Sequence, residues 1–137
     1  QAYASDASLQ ELSIRSGLSR DQLQEFVSAC DSNQLSMYFC AWNSEIASEQ
    51  ELNQVVTDKL RNRPKCQSAV TALSKQWLSA ESKRCEKASK QEWGDGSMQP
   101  TAHATCLDSA VREIVAALKN QNNCKQIQQN FSKKKFR

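Results

Sequence analysis

The side chains that could take part in catalysis are few in this chain. His103 is the single histidine and stands three residues before Cys106, as a base beside a thiol might be arranged. Glu49 and Asp58 are acids that could in principle serve as the carboxylate pair of a glycoside hydrolase. Neither set is accompanied by a glycine-rich phosphate loop or by the sequence setting of an activated nucleophile. The sequence therefore predicts a protein that is not an enzyme and needs no cofactor.

The cysteines are the strongest chemical signal. An even and high number of cysteines in a small chain is typical of disulfides formed in an oxidising compartment. A structural zinc site would need close pairs of cysteine or histidine, whereas successive cysteines here lie 10 to 26 residues apart. We therefore expect three disulfides, no metal site and an exported protein that is periplasmic or secreted. The six residues are Cys30, Cys40, Cys66, Cys85, Cys106 and Cys124.

Helices must position these cysteines. The chain of 137 residues has only three glycines and two prolines, which favours long helices with short joints. Two periodic runs, residues 40–62 and 66–85, flank Pro64. Proline is disfavoured inside a helix and biases the preceding residue away from helical angles, so the chain should reverse at Arg63-Pro64. The predicted fold is all-α, a four- to five-helix disulfide-linked bundle built on this central antiparallel helical hairpin.

The remaining helices are placed by caps and apolar spacing. Leu9 and Leu12 indicate a first helix, and Ser19 with Gln22 fits a capping box that opens a second one. The first helix of the hairpin should begin between residues 34 and 37. Residues 90–103, KQEWGDGSMQPTAH, contain two of the three glycines and the second proline, which predicts the longest loop. A last helix should begin between residues 101 and 106, with an apolar pattern that extends toward Phe131.

Helical rise suggests how the cysteines pair. With the turn near residue 63, Cys40 lies 23 positions before it and Cys85 lies 22 after it. At about 1.5 Å per residue, these two sulfurs reach the same height on neighbouring helices. The same reasoning predicts the three bridges Cys40–Cys85, Cys66–Cys124 and Cys30–Cys106. Height does not exclude the alternative in which Cys30 pairs with Cys40 and Cys85 with Cys106.

Charge is unevenly distributed along the chain. Residues 1–64 carry five Lys/Arg against nine Asp/Glu, and residues 65–137 carry thirteen against six. The segment LQELSIRSGLSRDQLQEFV resembles a DNA-binding helix-turn-helix, but its second helix is net acidic, so we expect no nucleic-acid partner. No apolar run approaches the ~20 residues that cross a bilayer. Ala2-Tyr3-Ala4 resembles the end of a signal peptide, with Ser5 as a mature start, and the basic SKKKFR is expected to be a solvated tail.

A set of short motifs follows the cysteines along the chain. They are Cys30, Cys40-Ala41, Glu49-x-Glu51-Leu52-Asn53, Trp77-Leu78 with Cys85 eight positions after the Trp, Gly94-Asp95-Gly96-Ser97-Met98 and Cys106-Leu107. This set resembles the LprI-type lysozyme-inhibitor domain, a family of exported bacterial helical proteins, over about residues 28–118. Family members usually carry Asp where Glu49 stands, and Arg-Asp where this chain has Glu81-Ser82.

The resemblance implies a protein partner, a peptidoglycan-cleaving enzyme of the lysozyme type whose cleft is blocked by a loop. The best candidate loop is QEWGDGSMQP, where Trp93 would be an aromatic anchor and Asp95 and Ser97 would form hydrogen bonds; Trp93 could instead cap the core, with the glycines serving only a tight turn. Asn53 and Trp77 also match family positions, and we expect both to be buried. The predicted partner-binding residues are Trp93, Gly94, Asp95, Gly96, Ser97, Met98 and His103.

Two other functions remain open from the sequence. An immunity protein would neutralise a cognate secreted wall-degrading toxin, and an envelope protein would bind without inhibiting anything. A single domain is expected in each case, with an N-terminal helical extension over residues 1–30, an LprI-like core over 31–127 and a basic tail over 128–137. The oligomeric state is not predicted.

Overall fold

The computed structural model describes residues 6–133, and these form six helices without a β-strand. The all-α prediction is confirmed. One helix more than the expected four to five is present, because the last predicted helix is interrupted between Asn120 and Asn123. The helices are α1 (Asp6–Ser16), α2 (Arg20–Val27), α3 (Gln34–Lys59), α4 (Pro64–Trp93), α5 (Gln99–Lys119) and α6 (Cys124–Lys133).

Local sequence signals set most helix boundaries. The capping box is formed as predicted: the Ser19 hydroxyl accepts from the Gln22 backbone N–H at 3.1 Å, and the Gln22 side chain accepts from the Ser19 N–H at 3.0 Å. Asn33 caps α3 by accepting from the Ser36 N–H at 2.8 Å. The chain reverses at the predicted proline, since Pro64 is the first residue of α4.

The direction of α5 decides the topology. Ser44 contacts Asp108 and Glu51 contacts Lys119, so α5 runs parallel to α3. By contrast, α4 runs antiparallel to both. Near their connection, α3 and α4 share a core through residues such as Val56 and Val70, but farther along α5 lies against both of them. The predicted hairpin is therefore a three-helix unit with α5 between its arms.

Two apolar clusters stabilise the fold. The larger one joins α3, α4, α5 and α6 around Trp77, whose ring meets Phe131 edge-on at 5.9 Å. The smaller one joins α1 and α2 to the first half of α3, so the N-terminal helices are packed onto the bundle. Its buried members are Leu9, Leu12, Leu23, Phe39 and Ile46.

Two of the three predicted disulfides are wrong. Cys66–Cys124 is confirmed, with Cα atoms 6.1 Å apart. The other bridges are Cys30–Cys40 and Cys85–Cys106, with Cα separations of 5.8 and 5.6 Å, instead of Cys40–Cys85 and Cys30–Cys106.

The physical reason is that equal height along two helices does not make them neighbours. At the level of Cys40 and Cys85, α3 and α4 have separated. The sulfur of Cys40 lies 3.9 Å from the Phe26 carbonyl oxygen of α2, while Cys85 is fully buried and bonds to α5. Cys40 therefore pairs with Cys30, just after α2, and Cys85 pairs with Cys106 of α5.

The loop predicted after Cys85 is also much shorter than expected. Helix α4 continues to Trp93, and α5 begins at Gln99, so only residues 94–98 connect them. No helix breaker stands between Cys85 and Gly94, and Pro100 occupies the first turn of α5, where a missing N–H carries no penalty. Proline here marks a helix start.

Three further expectations have different outcomes. Trp77 is buried, as predicted, but Asn53 is exposed on α3. Helix α6 extends to Lys133 and buries Phe131, so it includes residues assigned to the tail. Residues 2–5, with the signal-like Ala2-Tyr3-Ala4, and residues 134–137 of the tail lie outside the described residues. None of the helices between residues 6 and 133 combines the length and apolar character needed to cross a membrane.

The Cys66–Cys124 bridge should contribute more to stability than Cys30–Cys40. The bridges span 58 and 10 residues, and restricting a longer loop removes more entropy from the unfolded chain. We expect Cys66→Ala with Cys124→Ala to lower the free energy of unfolding by about 4 kcal/mol, and Cys30→Ala with Cys40→Ala by about 3 kcal/mol. Urea unfolding of both double variants measures the difference; a larger loss from the short bridge would contradict this order.

Candidate partner-binding site

The connection between α4 and α5 is a short loop held at both sides. Gly94 ends α4 with φ 59° and ψ −132°, a backbone conformation that only glycine adopts readily, and its N–H donates to the Lys90 carbonyl at 2.8 Å. The Gly96 N–H donates to the Trp93 carbonyl at 3.1 Å. The Ser97 hydroxyl donates to the Gln34 side chain at the start of α3, at 2.7 Å. The loop is therefore tied to a third helix.

An exposed apolar surface surrounds this loop. The Trp93 side chain is 44% exposed, and Leu35, which follows the Ser97 partner Gln34 in sequence, is 50% exposed. Asp95 is exposed as well, and Met98 is half-buried. Trp93 is not a member of either apolar cluster. We call residues 93–98 together with Leu35 the loop end.

The structure separates one predicted residue from this group. His103 lies within α5, where its Nε2 is 3.0 Å from the Ser82 carbonyl oxygen and 3.3 Å from the Ser82 hydroxyl. It therefore bridges α5 to α4. The six other predicted partner-binding residues, Trp93, Gly94, Asp95, Gly96, Ser97 and Met98, stand together at the loop end.

A cleft of about 770 Å³ begins beside the loop end. It lies where α3 and α4 have separated, and α5 lines it between them. Lys90, Gln99 and Pro100, which flank the loop in sequence, line the cleft, so the two surfaces are continuous. The other lining residues are Arg15 of α1; Tyr38, Trp42, Glu45 and Glu49 of α3; Lys75, Leu78, Ser79, Ser82, Lys83 and Glu86 of α4; and His103, Ala104 and Leu107 of α5.

Aromatic side chains form the part of the α3 wall nearest the helix start. Tyr38 and Trp42 have ring centroids 5.5 Å apart, and both contact Phe39, which stacks on Phe26 of α2 at 4.9 Å. Burial raises the pKa of Tyr38, so its phenol stays neutral. The Cys30–Cys40 bridge links the connection after α2 to the same segment of α3. The Phe26 contact and this disulfide therefore hold the aromatic part of the α3 wall in place.

Two carboxyl groups follow on the same wall. Glu45 and Glu49 are one helical turn apart, and Glu45 is only 4% exposed. Burial raises the pKa of Glu45 to about 9, helped by a hydrogen bond to Glu49 and by repulsion from the Glu49 charge, against the attraction of Arg15. Arg15 lies 3.6 Å from Glu49 and 2.9 Å from Glu11. Glu45 is therefore protonated at neutral pH.

The arrangement does not reproduce the catalytic sets considered from the sequence. Glu49 faces Arg15, whereas Asp58 pairs with Arg61 at 2.8 Å near the other end of α3, so these acids do not form a pair. Cys106 is held in a disulfide and offers no thiol to His103. Within residues 6–133, no three histidine, cysteine or acidic side chains come together as a metal-binding set. What the site offers is a fixed surface for contact.

Residues 28–118 match the family model described as lysozyme inhibitor LprI. The chain belongs to the LprI lysozyme inhibitor family. No curated protein and no solved structure matches it. The LprI match includes the loop end and the three principal helices of the cleft, whereas α1, α2 and α6 lie outside it. LprI is a family of inhibitors rather than of enzymes, which agrees with a protein partner.

Sequence reasoning missed Leu35 and Glu45. Leu35 follows directly after the first residue of α3 and gave no signal, because its exposure depends on how that helix meets the loop. Glu45 did give one: at helical spacing it lies on the same stripe as Trp42 and Ile46, and it precedes Glu49 by one turn. A charged residue inside a buried stripe is a recognisable sign of a polar site.

The protonated Glu45 should make stability depend on pH. Its pKa is about 9 in the fold against 4.5 ordinarily, so between these values the native state holds a proton that the unfolded chain has lost. The free energy of unfolding therefore falls as pH rises through this range, by up to about 1.4 kcal/mol per pH unit. Glu45→Gln stays neutral in both states and should lose this contribution, so its stability relative to the unmodified protein should rise with pH.

Denaturant unfolding at pH 5, 7 and 9 measures this dependence. Glu92→Gln, at an exposed position of α4, is the matched control and should keep the slope of the unmodified protein. An unchanged slope in Glu45→Gln would show that Glu45 is ionised in the fold.

Proposed function

We propose that this protein is an exported, periplasmic or secreted inhibitor that binds a lysozyme-type peptidoglycan-cleaving enzyme and occludes its substrate cleft with the loop end. The observation that carries the proposal is the exposed Trp93 at the end of α4, next to a five-residue connection held at both sides, within the part of the chain that matches the LprI family. An exposed tryptophan on a rigid support is a typical anchor of a protein interface.

Rigidity supports inhibition by occlusion. A loop that is already fixed loses little conformational entropy on binding, so more of the contact energy appears as affinity. Here the Cys85–Cys106 bridge joins α4 to α5 behind the loop, and Ser97 ties the loop to α3. Trp93 would fill a sugar subsite of the enzyme, while Asp95 and Ser97 would form hydrogen bonds with polar groups in its cleft.

The target can be a host lysozyme or a cognate wall-degrading toxin. The second choice would make the protein an immunity protein, and the features outside the family match favour it as an alternative. Helices α1 and α2, which precede the matched residues, cover the first half of α3. Cys124 lies beyond the matched residues, so the Cys66–Cys124 bridge is an addition to the matched segment. Additions of this kind suit a protein that is stable outside the cell and dedicated to one enzyme.

The function is tested by the clearing of a bacterial wall suspension. A panel of lysozymes and of toxins encoded beside this protein would be assayed by turbidity, with increasing amounts of the protein. We expect one member to be inhibited stoichiometrically. No inhibition across the panel would favour the third possibility, an envelope protein that binds without inhibiting.

Trp93→Ala and Asp95→Ala should weaken inhibition without lowering the melting temperature. Both side chains are exposed, so their loss leaves the core intact, and removal of an interface tryptophan should raise the inhibition constant by about ten-fold or more. Ile14→Ala is the matched control, because Ile14 is an exposed apolar residue of α1, 66% exposed and outside the family match. Equal inhibition by Trp93→Ala and the unmodified protein would move the interface away from the loop end.

A further inference from the structure

The cleft contains a buried carboxyl oxygen without a partner. Glu45 lines the cleft at 4% exposure, and its Oε2 makes no hydrogen bond within the described part of the chain. Buried polar groups in folded proteins are almost always paired, with a protein group, an ordered water or a bound ion. The cleft is large enough for such a group to enter, so this oxygen marks a position where an external donor would bind.

Arg15 of α1 is the cation nearest the two acids. Its guanidinium contacts Glu49 at 3.6 Å and Glu11 at 2.9 Å through different nitrogens, and its charge opposes the rise in the pKa of Glu45. On the α5 side, Asp108 accepts from Ser44 at 2.7 Å and from Arg112 at 2.9 Å. Arg15 is therefore shared between Glu11 and Glu49, while Glu45 has acidic groups both along its own helix and across on α5.

The opposite wall does not supply a further cation to these acids. Lys75, Lys83 and Lys90 line it, but within residues 6–133 no ion pair joins any of them to Glu45 or Glu49. Lys90 lies 4.0 Å from Glu86 on its own helix. His103 of α5 is held by Ser82. The acidic pair of α3 thus faces the cleft without being neutralised by α4 or α5.

We propose that the α3 wall of the cleft is a binding site for an arginine side chain of the partner, with the guanidinium between Glu45 and Glu49. Naming that partner as the inhibited enzyme rests on the proposed function. A guanidinium is planar and always charged, and it donates to two carboxylate oxygens at once, which matches two acids one helical turn apart. Trp42 and Tyr38 precede the acids on the same wall and can contact the face of the guanidinium or its aliphatic stem.

Binding of the guanidinium would change the protonation of Glu45. A cation beside Glu45 favours the ionised carboxylate, so the proton that Glu45 holds in the free protein leaves to solvent as the guanidinium binds. One bound arginine at neutral pH should therefore release about one proton. A purely structural pair of acids would show no such coupling to an arginine ligand.

A small probe tests the site without any enzyme. N-acetyl-arginine amide would be titrated at pH 7 into protein labelled with ¹³C at its glutamate carboxyls, and N-acetyl-citrulline amide, which is neutral and of similar shape, is the control. We expect the Glu45 carboxyl resonance to move toward the ionised position with arginine and to stay in place with citrulline. Equal responses, or none at tens of millimolar probe, would overturn the proposal.

Variants assign the response to the α3 wall. Glu49→Gln should weaken arginine binding by about ten-fold or more, because it removes one of the two carboxyl groups that contact the guanidinium. Glu86→Gln removes the same charge from the opposite wall and should bind arginine within about two-fold of the unmodified protein. Equal loss in both variants would indicate a diffuse charge effect and would contradict the site.

Experiments with the enzyme that is inhibited in the wall-clearing assay distinguish the arginine site from the proposed inhibitor function. There, Glu49→Gln should raise the inhibition constant, and calorimetry in two buffers of different ionisation enthalpy should show about one released proton, which Glu45→Gln abolishes. If the protein inhibits and these variants inhibit equally well, the arginine site fails and the inhibitor function stands. If the arginine probe binds and no enzyme is inhibited, the site stands and the inhibitor function fails.

Discussion

The packing of α5 against both α3 and α4 is the contact on which the rest of the structure depends. Because α5 runs parallel to α3 and antiparallel to α4, its first half lies where the two longer helices have separated. The Cys85–Cys106 bridge fixes that position on the α4 side, and the Ser44, Asp108 and Arg112 contacts fix it on the α3 side. The cleft exists because α5 holds these helices apart, and the loop end is the short connection that this arrangement requires.

The disulfides restrain different parts of the bundle that carries this surface. Cys30–Cys40 closes a short segment behind the aromatic wall, and Cys66–Cys124 attaches α6 to the start of α4 at the far end of the bundle. Neither bridge enters the cleft, so both act by limiting the motion of the helices that line it or support it. This distribution agrees with a binder whose contact residues are ordered before they meet the partner.

Local signals in the sequence predicted the local structure well. The capping box at Ser19, the reversal at Pro64 and the all-α class depend on a few adjacent residues, so they could be identified without knowing the neighbours of each helix. The cysteine pairing could not, because Cys40 and Cys85 reach similar heights but lie against α2 and α5. The loop length was misjudged for a local reason, since Pro100 suits a first helical turn as well as a loop. Of the site, the group from Trp93 to Met98 was found by resemblance, whereas Leu35 became visible only from the packing.

Glu45 shows how one helix can serve both the core and the site. Its neighbours Ile46 and Leu52 are buried in the two apolar clusters, while Trp42, Glu45 and Glu49 line the cleft. A buried carboxyl inside such a helix lowers stability when it must ionise, and an apolar residue there would relieve that penalty. The helix instead keeps a protonated Glu45 one turn before Glu49 in the cleft. That arrangement contributes little to folding, but it suits the binding of a cation. The ionised form of Glu45, which burial disfavours, becomes favourable once a positive side chain lies beside it.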